Sequence, residues 1–159
     1  MKSDRTDDPS ASHDRAALAV KVADALLGAD RASQALGMKL ESVGLGEARV
    51  SMRVRADMLN GHELCHGGLL FTLADSAFAF ACNSHGDNAV AAGASIDFLA
   101  PARLGDDVIA TAKELWRGGR SGLYEVSIVN QAGTQLALFR GRSHRIAGRV
   151  LETVSGVEK

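Results

Sequence analysis

The sequence predicts an α+β domain in which a curved antiparallel β-sheet wraps around one long central α-helix. Three observations carry this. The stretch 66–83, HGGLLFTLADSAFAFACN, is apolar almost all the way round, and a helix that is hydrophobic on every face is buried on every face. The hydrophobic period switches from 3.6 to 2 ahead of this helix and stays strand-like after it. The last three strand-like segments follow one another through short glycine-containing turns, which favours an antiparallel meander. One sheet and one buried helix make a single domain.

Taken in order, residues 1–13 read as a disordered tail, polar and acidic. Residues 14–36 suit an amphipathic helix, with Leu18, Val22, Ala25 and Leu26 at helical spacing, an interruption at Gly28 and an end near Gly37. Residues 38–43 form a weak strand. In GEARVSMRVRA, Val50, Met52 and Val54 alternate with Arg49, Ser51, Arg53 and Arg55, the pattern of a half-buried strand. Residues 56–65 form a loop around Asn60-Gly61, and the buried helix follows. Four strands then occupy 89–99, 107–117, 123–130 and 134–146, separated by the turns at Gly105-Asp106, Gly118-Gly119 and Ala132-Gly133. The domain spans 14–147, and 148–159 reads as a C-terminal tail.

The 159 residues carry 18 basic and 19 acidic side chains, a formal net charge of −1, and nothing in that balance points to nucleic acid. The two cysteines, Cys65 and Cys82, make no disulfide framework, so a reducing compartment is expected. The N-terminus has no apolar stretch of the secretory kind. The central helix is short and carries Asp75 in its middle, which makes it unsuited to span a bilayer. The expectation is a cytoplasmic protein that does not enter membranes.

Several residue groups carry possible chemistry. His62-Glu63-Leu64-Cys65-His66 fits H-E-x-x-H, a zinc-hydrolase pattern. That chemistry needs both histidines on one face of a continuous helix. Asn60-Gly61 before the motif and Gly67-Gly68 after it are turn signals, so no metal is expected. Cys65 next to His66 reads as a small apolar plug, because adjacent side chains aim apart and cysteine is commonly buried. Gly67 and Gly68 stand where the buried helix begins, at unpaired N–H groups and the positive end of the helix dipole. They fit a carbonyl oxygen that gains charge, or simple relief of crowding. No Lys or Arg lies in the helix to neutralise Asp75, and isolated buried charge is costly. Asp75 is therefore a base or nucleophile, or else a structural carboxylate paired from elsewhere.

Gly67 and Asp75 are separated by about 12 Å along the helix axis, at roughly 1.5 Å per residue. Both can touch one small reacting group only if they come from different copies of the helix, as across a two-fold dimer. The last strand adds Arg140, Arg142, His144, Arg145 and then Arg149, and the 117–120 turn adds Arg117 and Arg120. A basic edge of this kind holds phosphates or is a solvated strand face.

The run N-G-H-x-x-C-H-G-G-x-x-F-x-L-A-D-x-A-F-A-x-A-C-N over 60–83, I-D-F-L at 96–99, Y-E-V-S-I-V-N at 124–130 and A-L-F-R-G-R-S-H-R-I at 137–146 resemble the hotdog-fold acyl-CoA thioesterases of the phenylacetic acid degradation type. The likeness covers about residues 33–147. It implies a homodimer formed by pairing the edge strand 89–99, often doubled to a homotetramer. It implies hydrolysis of aryl-acetyl-CoA such as phenylacetyl-CoA or its hydroxylated derivatives, with no metal or prosthetic group and coenzyme A only as part of the substrate. Carried over, Asp75 activates water or attacks directly, Gly67 donates its N–H to the thioester carbonyl, and His66 and Asn60 orient the site. Gly68, Leu59, Met58 and Phe71, with the phenylalanines of the helix or of strand 96–99, are expected around the acyl group, and Arg142, His144 and Arg145 near the CoA tail. Two other functions stay open on the same fold: a hydratase or dehydratase using His66, and a non-catalytic acyl-CoA binding protein.

Overall fold

The computed structural model describes residues 9–155. Its elements run α1 (Pro9–Ala29), α2 (Arg31–Ala35), β1 (Lys39–Gly44), β2 (Glu47–Arg53), a 3-10 turn (Ala56–Met58), α3 (Gly67–Asn83), β3 (Asp87–Phe98), β4 (Asp107–Gly118), β5 (Ser121–Val129), β6 (Gln135–Arg149) and α4 (Val150–Ser155). The six strands form one sheet in the order β1-β2-β4-β5-β6-β3, and every pair is antiparallel. β4, β5 and β6 are the expected meander. β3 returns to the far side and pairs with β6, Phe98 opposite Ala137 and Val90 opposite His144.

The sheet curls around α3 because its inward positions alternate and many are small. Ala48, Val50 and Met52 on β2, Val108, Ala110 and Ala112 on β4, Tyr124, Val126 and Ile128 on β5, and Ala137 and Phe139 on β6 are all buried. Against them α3 sets Leu70, Leu73, Ala74, Ala77, Phe78 and Ala81. Phe78 is the hub: its ring meets Tyr124 at 5.3 Å and Phe139 at 5.9 Å, and Phe71 meets Phe139 edge-on at 5.2 Å. Gly141 admits this cluster, since a Cβ there would lie 3.0 Å from both Phe78 and Phe139. Each such ring contributes about 1.5–3 kcal/mol on burial.

Four sequence expectations need correction. The helix expected over 14–36 is two helices, and it breaks at Asp30 instead of Gly28. Asp30 caps α2 by accepting a hydrogen bond from Ser33 N at 2.9 Å, so the chain starts a new helix there. α1 begins at Pro9, inside the segment read as a tail; residues 1–8 of that segment lie outside the described residues. At the other end α4 occupies part of the 148–159 tail, with Val150 only 1% exposed. Finally, α3 is not sealed on every face of one chain. Gly68 is exposed, and Thr72, Asp75 and Ala79 are only half-buried. These four positions share one helix stripe by spacing, beside the unpaired edge of β3. Among the described residues no helix is long and apolar enough to cross a membrane.

Candidate active site

The N-terminus of α3 is built by the loop before it. Asn60 Oδ1 accepts from His62 N at 2.9 Å and Leu64 N at 3.2 Å, an Asx turn that folds 60–64 back on itself. With Oδ1 so engaged, the Asn60 amide NH2 is the end left to interact elsewhere. Glu63 takes a left-handed φ of 59° in this turn. His62 and His66 therefore share no helix, and the H-E-x-x-H spacing has none of the geometry a zinc hydrolase needs. His66 is the helix cap: its Nδ1 accepts from Gly68 N at 2.9 Å. In the neutral ring the proton then sits on Nε2, free to donate outward.

The cap leaves one amide over. Gly68 N bonds to the His66 ring and Leu69 N to the His66 carbonyl; among the described residues Gly67 N has no acceptor. Gly67 and Asn60 line a cavity of about 340 Å³ with Leu64, Cys65, Phe98 and Leu99. Phe98 lies over Gly67 so closely that a Cβ there would meet the ring tip at 2.9 Å. Glycine thus gives both an open amide and room for the aromatic wall.

Asp75 lies elsewhere. It lines a separate cavity of about 430 Å³ with Leu26, Ala29 and Asp30 from α1 and its end, Phe78 and Cys82 from α3, and Ala89–Ala91 from β3. Among the described residues no side chain or backbone group hydrogen-bonds or ion-pairs with its carboxylate. Burial, and secondarily the negative charge of Asp30, push its pKa above the ordinary carboxylate value. A half-buried, unpaired carboxylate with raised proton affinity is suited to take a proton.

Residues 62–137 match the Thioesterase superfamily. The acyl-coenzyme A thioesterase PaaI of Escherichia coli is 52% identical over 121 residues, covering 76% of this chain and 86% of that protein. The chain belongs to the thioesterase superfamily. The solved structure of E. coli PaaI, from the phenylacetic acid degradation operon, superposes with a TM-score of 0.83 at 49% identity, covering 84% of this chain and 97% of that one. The TT0310 protein of Thermus thermophilus gives 0.71 at 43% identity, covering 74% of this chain and 98% of the other. The fold is the hotdog fold, and the protein is a thioesterase, a hydrolase.

In this thioesterase the other residues singled out from sequence are spread. Met58 is sealed in the core at 2% exposure, and Leu59 bridges to Cys65. Phe71 packs inward on Phe139. Arg142 and His144 are exposed and pair with the middle and start of β3, away from the Phe98 end that covers Gly67. Arg142 donates to the Ala92 carbonyl at 3.3 Å. Arg145 is tied to Asp87 at 3.1 Å and to the Gly119 carbonyl. Arg117 and Arg149 join the same carboxylate at 2.8 and 3.2 Å. Burial opposes the Asp87 charge, yet the Arg145 bond and the three guanidiniums outweigh it and hold the carboxyl below its usual range. Cys82, beside Asp75, has its thiol pushed up to about 12 by burial first and then by Asp75. It stays protonated and is not a nucleophile. One residue lay beyond sequence reasoning, Asp30 in the Asp75 cavity; Phe98 is expected near the acyl group, but not its seat directly over Gly67. Only the tertiary fold brings either into place.

Proposed function

We propose that this thioesterase hydrolyses aryl-acetyl thioesters of coenzyme A, and that each active site is shared between two subunits. The observation that carries this is the division of the machinery. In one chain the free Gly67 amide and the Asn60 amide line one cavity, while Asp75 lines another. A two-fold dimer joined along the unpaired edge of β3 brings Asp75 of one subunit to Gly67 of the partner subunit, and two such dimers can form a tetramer. The E. coli relative's name supports acyl-CoA as the substrate class, and its operon supports the aryl-acetyl group.

The chemistry follows from the geometry. The thioester carbonyl accepts from the Gly67 N–H, at the positive end of α3, with the Asn60 amide beside it. Asp75 takes a proton from water as its oxygen attacks the carbonyl carbon. The oxygen that gains charge is held by the amide donor. When the C–S bond breaks, the electron pair leaves with sulfur, and the proton held by Asp75 passes to the CoA thiolate. Free acid and CoA depart, and Asp75 is ionised again. Neither metal nor cofactor enters a step. Arg142 and His144, exposed and basic, with Arg145 behind them, contact the phosphates of the CoA tail. The buried free thiols Cys65 and Cys82 suit the reducing cytoplasm.

The test is thiol release across a panel of acyl-CoAs with wild type and Asp75→Asn. Aryl-acetyl-CoA should be turned over by wild type. The Asn variant should bind it with similar affinity and lose about 10²–10⁴-fold in kcat, the usual contribution of a general base. Near-normal turnover in that variant would remove Asp75 from the mechanism.

A further inference from the structure

Asp30 and Asp75 come from elements far apart in sequence, yet among the described residues they are the two charged ones lining the same cavity. Asp30 is held there by design of the chain. One of its oxygens accepts from Ser33 N at 2.9 Å, and the other accepts from Ser33 Oγ. Ser33 Oγ is in turn 2.9 Å from Ser76 Oγ. Both serines are almost fully buried, at 1% and 8% exposure, and Ser76 is the residue after Asp75. A hydroxyl pair closed off from water is worth most when both partners are present. This one ties the α1–α2 junction to the turn of α3 that bears Asp75.

We propose that Asp30 is a positioning residue of this active site: it fixes the α1–α2 junction as the wall of the Asp75 cavity and sets a second negative charge beside the reacting carboxylate. The inference rests on the reading of Asp75 as the base. A neighbouring like charge makes a carboxylate a stronger base, and a stronger base takes a proton from water more readily. The groups around Asp75 leave that role to Asp30. Cys82 is protonated, and β3 contributes Ala89, Val90 and Ala91. In the dimer, the α3 N-terminus of the partner subunit pulls the other way, and it does so equally in wild type and variant.

Asp30→Asn separates charge from structure: its Oδ1 keeps the cap on Ser33 N as well as Asp does, and its NH2 donates to Ser33 Oγ, whose own hydrogen turns to Ser76 Oγ. Its melting temperature should stay near that of wild type. Its pH–rate profile should change in two ways at once: the acid limb of kcat/KM moves to lower pH, and the plateau kcat falls several-fold. Asp30→Ala should show the same shift of the limb together with a lower melting temperature. A profile unchanged in Asp30→Asn, or changed only in Asp30→Ala, overturns the proposal and reduces Asp30 to a helix cap. Carboxyl ¹³C NMR of the resting enzyme reads the Asp75 titration without turnover, and its midpoint should move down in Asp30→Asn. If that midpoint moves while Asp75→Asn retains full activity, the charge of Asp30 does act on Asp75, and the assignment of Asp75 as base is what has failed. A static midpoint overturns the role of Asp30 alone.

Discussion

Sharing of the site between subunits can be tested by giving each half of the machinery its own lesion. Gly67→Pro removes the amide hydrogen without removing the helix. Proline suits the first helical position, and the residue before it must be extended, as His66 already is at φ −60° and ψ 129°. The new Cβ meets the tip of Phe98 at 2.9 Å, and that ring is 54% exposed. Loss of one such donor costs about 10²–10³ in kcat, and Asp75→Asn costs a comparable factor. Each homodimer is then nearly dead. If the two are mixed and allowed to exchange subunits, about half the dimers are hybrids, and in each hybrid one of two sites carries both lesions while the other carries none. Activity should rise to about a quarter of the wild-type value per site, far above either parent. The assay is thiol release after co-refolding, with hybrid formation checked by differently tagged subunits. Hybrids with no activity beyond the sum of the parents would place Gly67 and Asp75 in the same subunit's site and refute the division.

Other outcomes follow from burial and charge. The folded-state pKa of Asp75 lies above its unfolded value, so the ionised carboxylate destabilises the fold above that range, and the penalty fades as pH falls through it; Asp75→Asn should melt higher than wild type at neutral pH, with the gap closing in acid. Asp87 is the opposite case: its carboxyl is held below the ordinary value, so it stabilises above the unfolded value and loses this as pH falls through the folded one. Asp87→Asn should cost about 1 kcal/mol near pH 7, a modest figure because the arginines are 31–49% exposed on their side chains and screened by solvent, and the cost should shrink in acid by denaturant titration. Gly141→Ala forces a methyl to 3.0 Å from two rings that are 0–1% exposed; overpacking of this kind costs about 1–3 kcal/mol, readable as a lower urea midpoint with an unchanged m-value.

What could be read from sequence follows the range of the forces involved. The central helix was legible because its signal is local: a continuous apolar run beginning at a glycine pair. The meander was legible because the glycine turns that make it are local too. The break at Asp30 was obscured by Gly28, a louder breaker two residues earlier, although the Asp30–Ser33 pair is the local cap that decides the matter. α4 was missed because its anchor is tertiary: Val150 is buried, and its N–H reaches the Gly86 carbonyl at 3.1 Å. The trio of His85, Glu114 and Tyr124 was also beyond reach. His85 Nε2 lies 2.9 Å from Glu114 Oε2, which also accepts from the Tyr124 hydroxyl, and the three residues come from different parts of the chain. Gly67 and Asp75 stand out as departures from the helix's own pattern, whereas nothing local in the sequence marks Asp30 as a neighbour of Asp75.

The open faces of the single chain share one location, and this links assembly to chemistry. The unsealed stripe of α3 carries Asp75, and the cavity beside it is closed on one side by Ala89–Ala91 of β3. Residues 90–95 of β3 are exposed, and the strand's outer edge pairs with no strand among the described residues. A long unpaired edge invites another strand, and the small side chains along it let a second backbone and helix come close. A copy of the chain added at that edge would cover the strand, close the Asp75 cavity and bring its own α3 N-terminus alongside. Desolvation that raises the base and dipoles that steady the oxyanion would then arrive in one event. On this reading the half-sealed helix is the cost of a site that exists only when two chains meet.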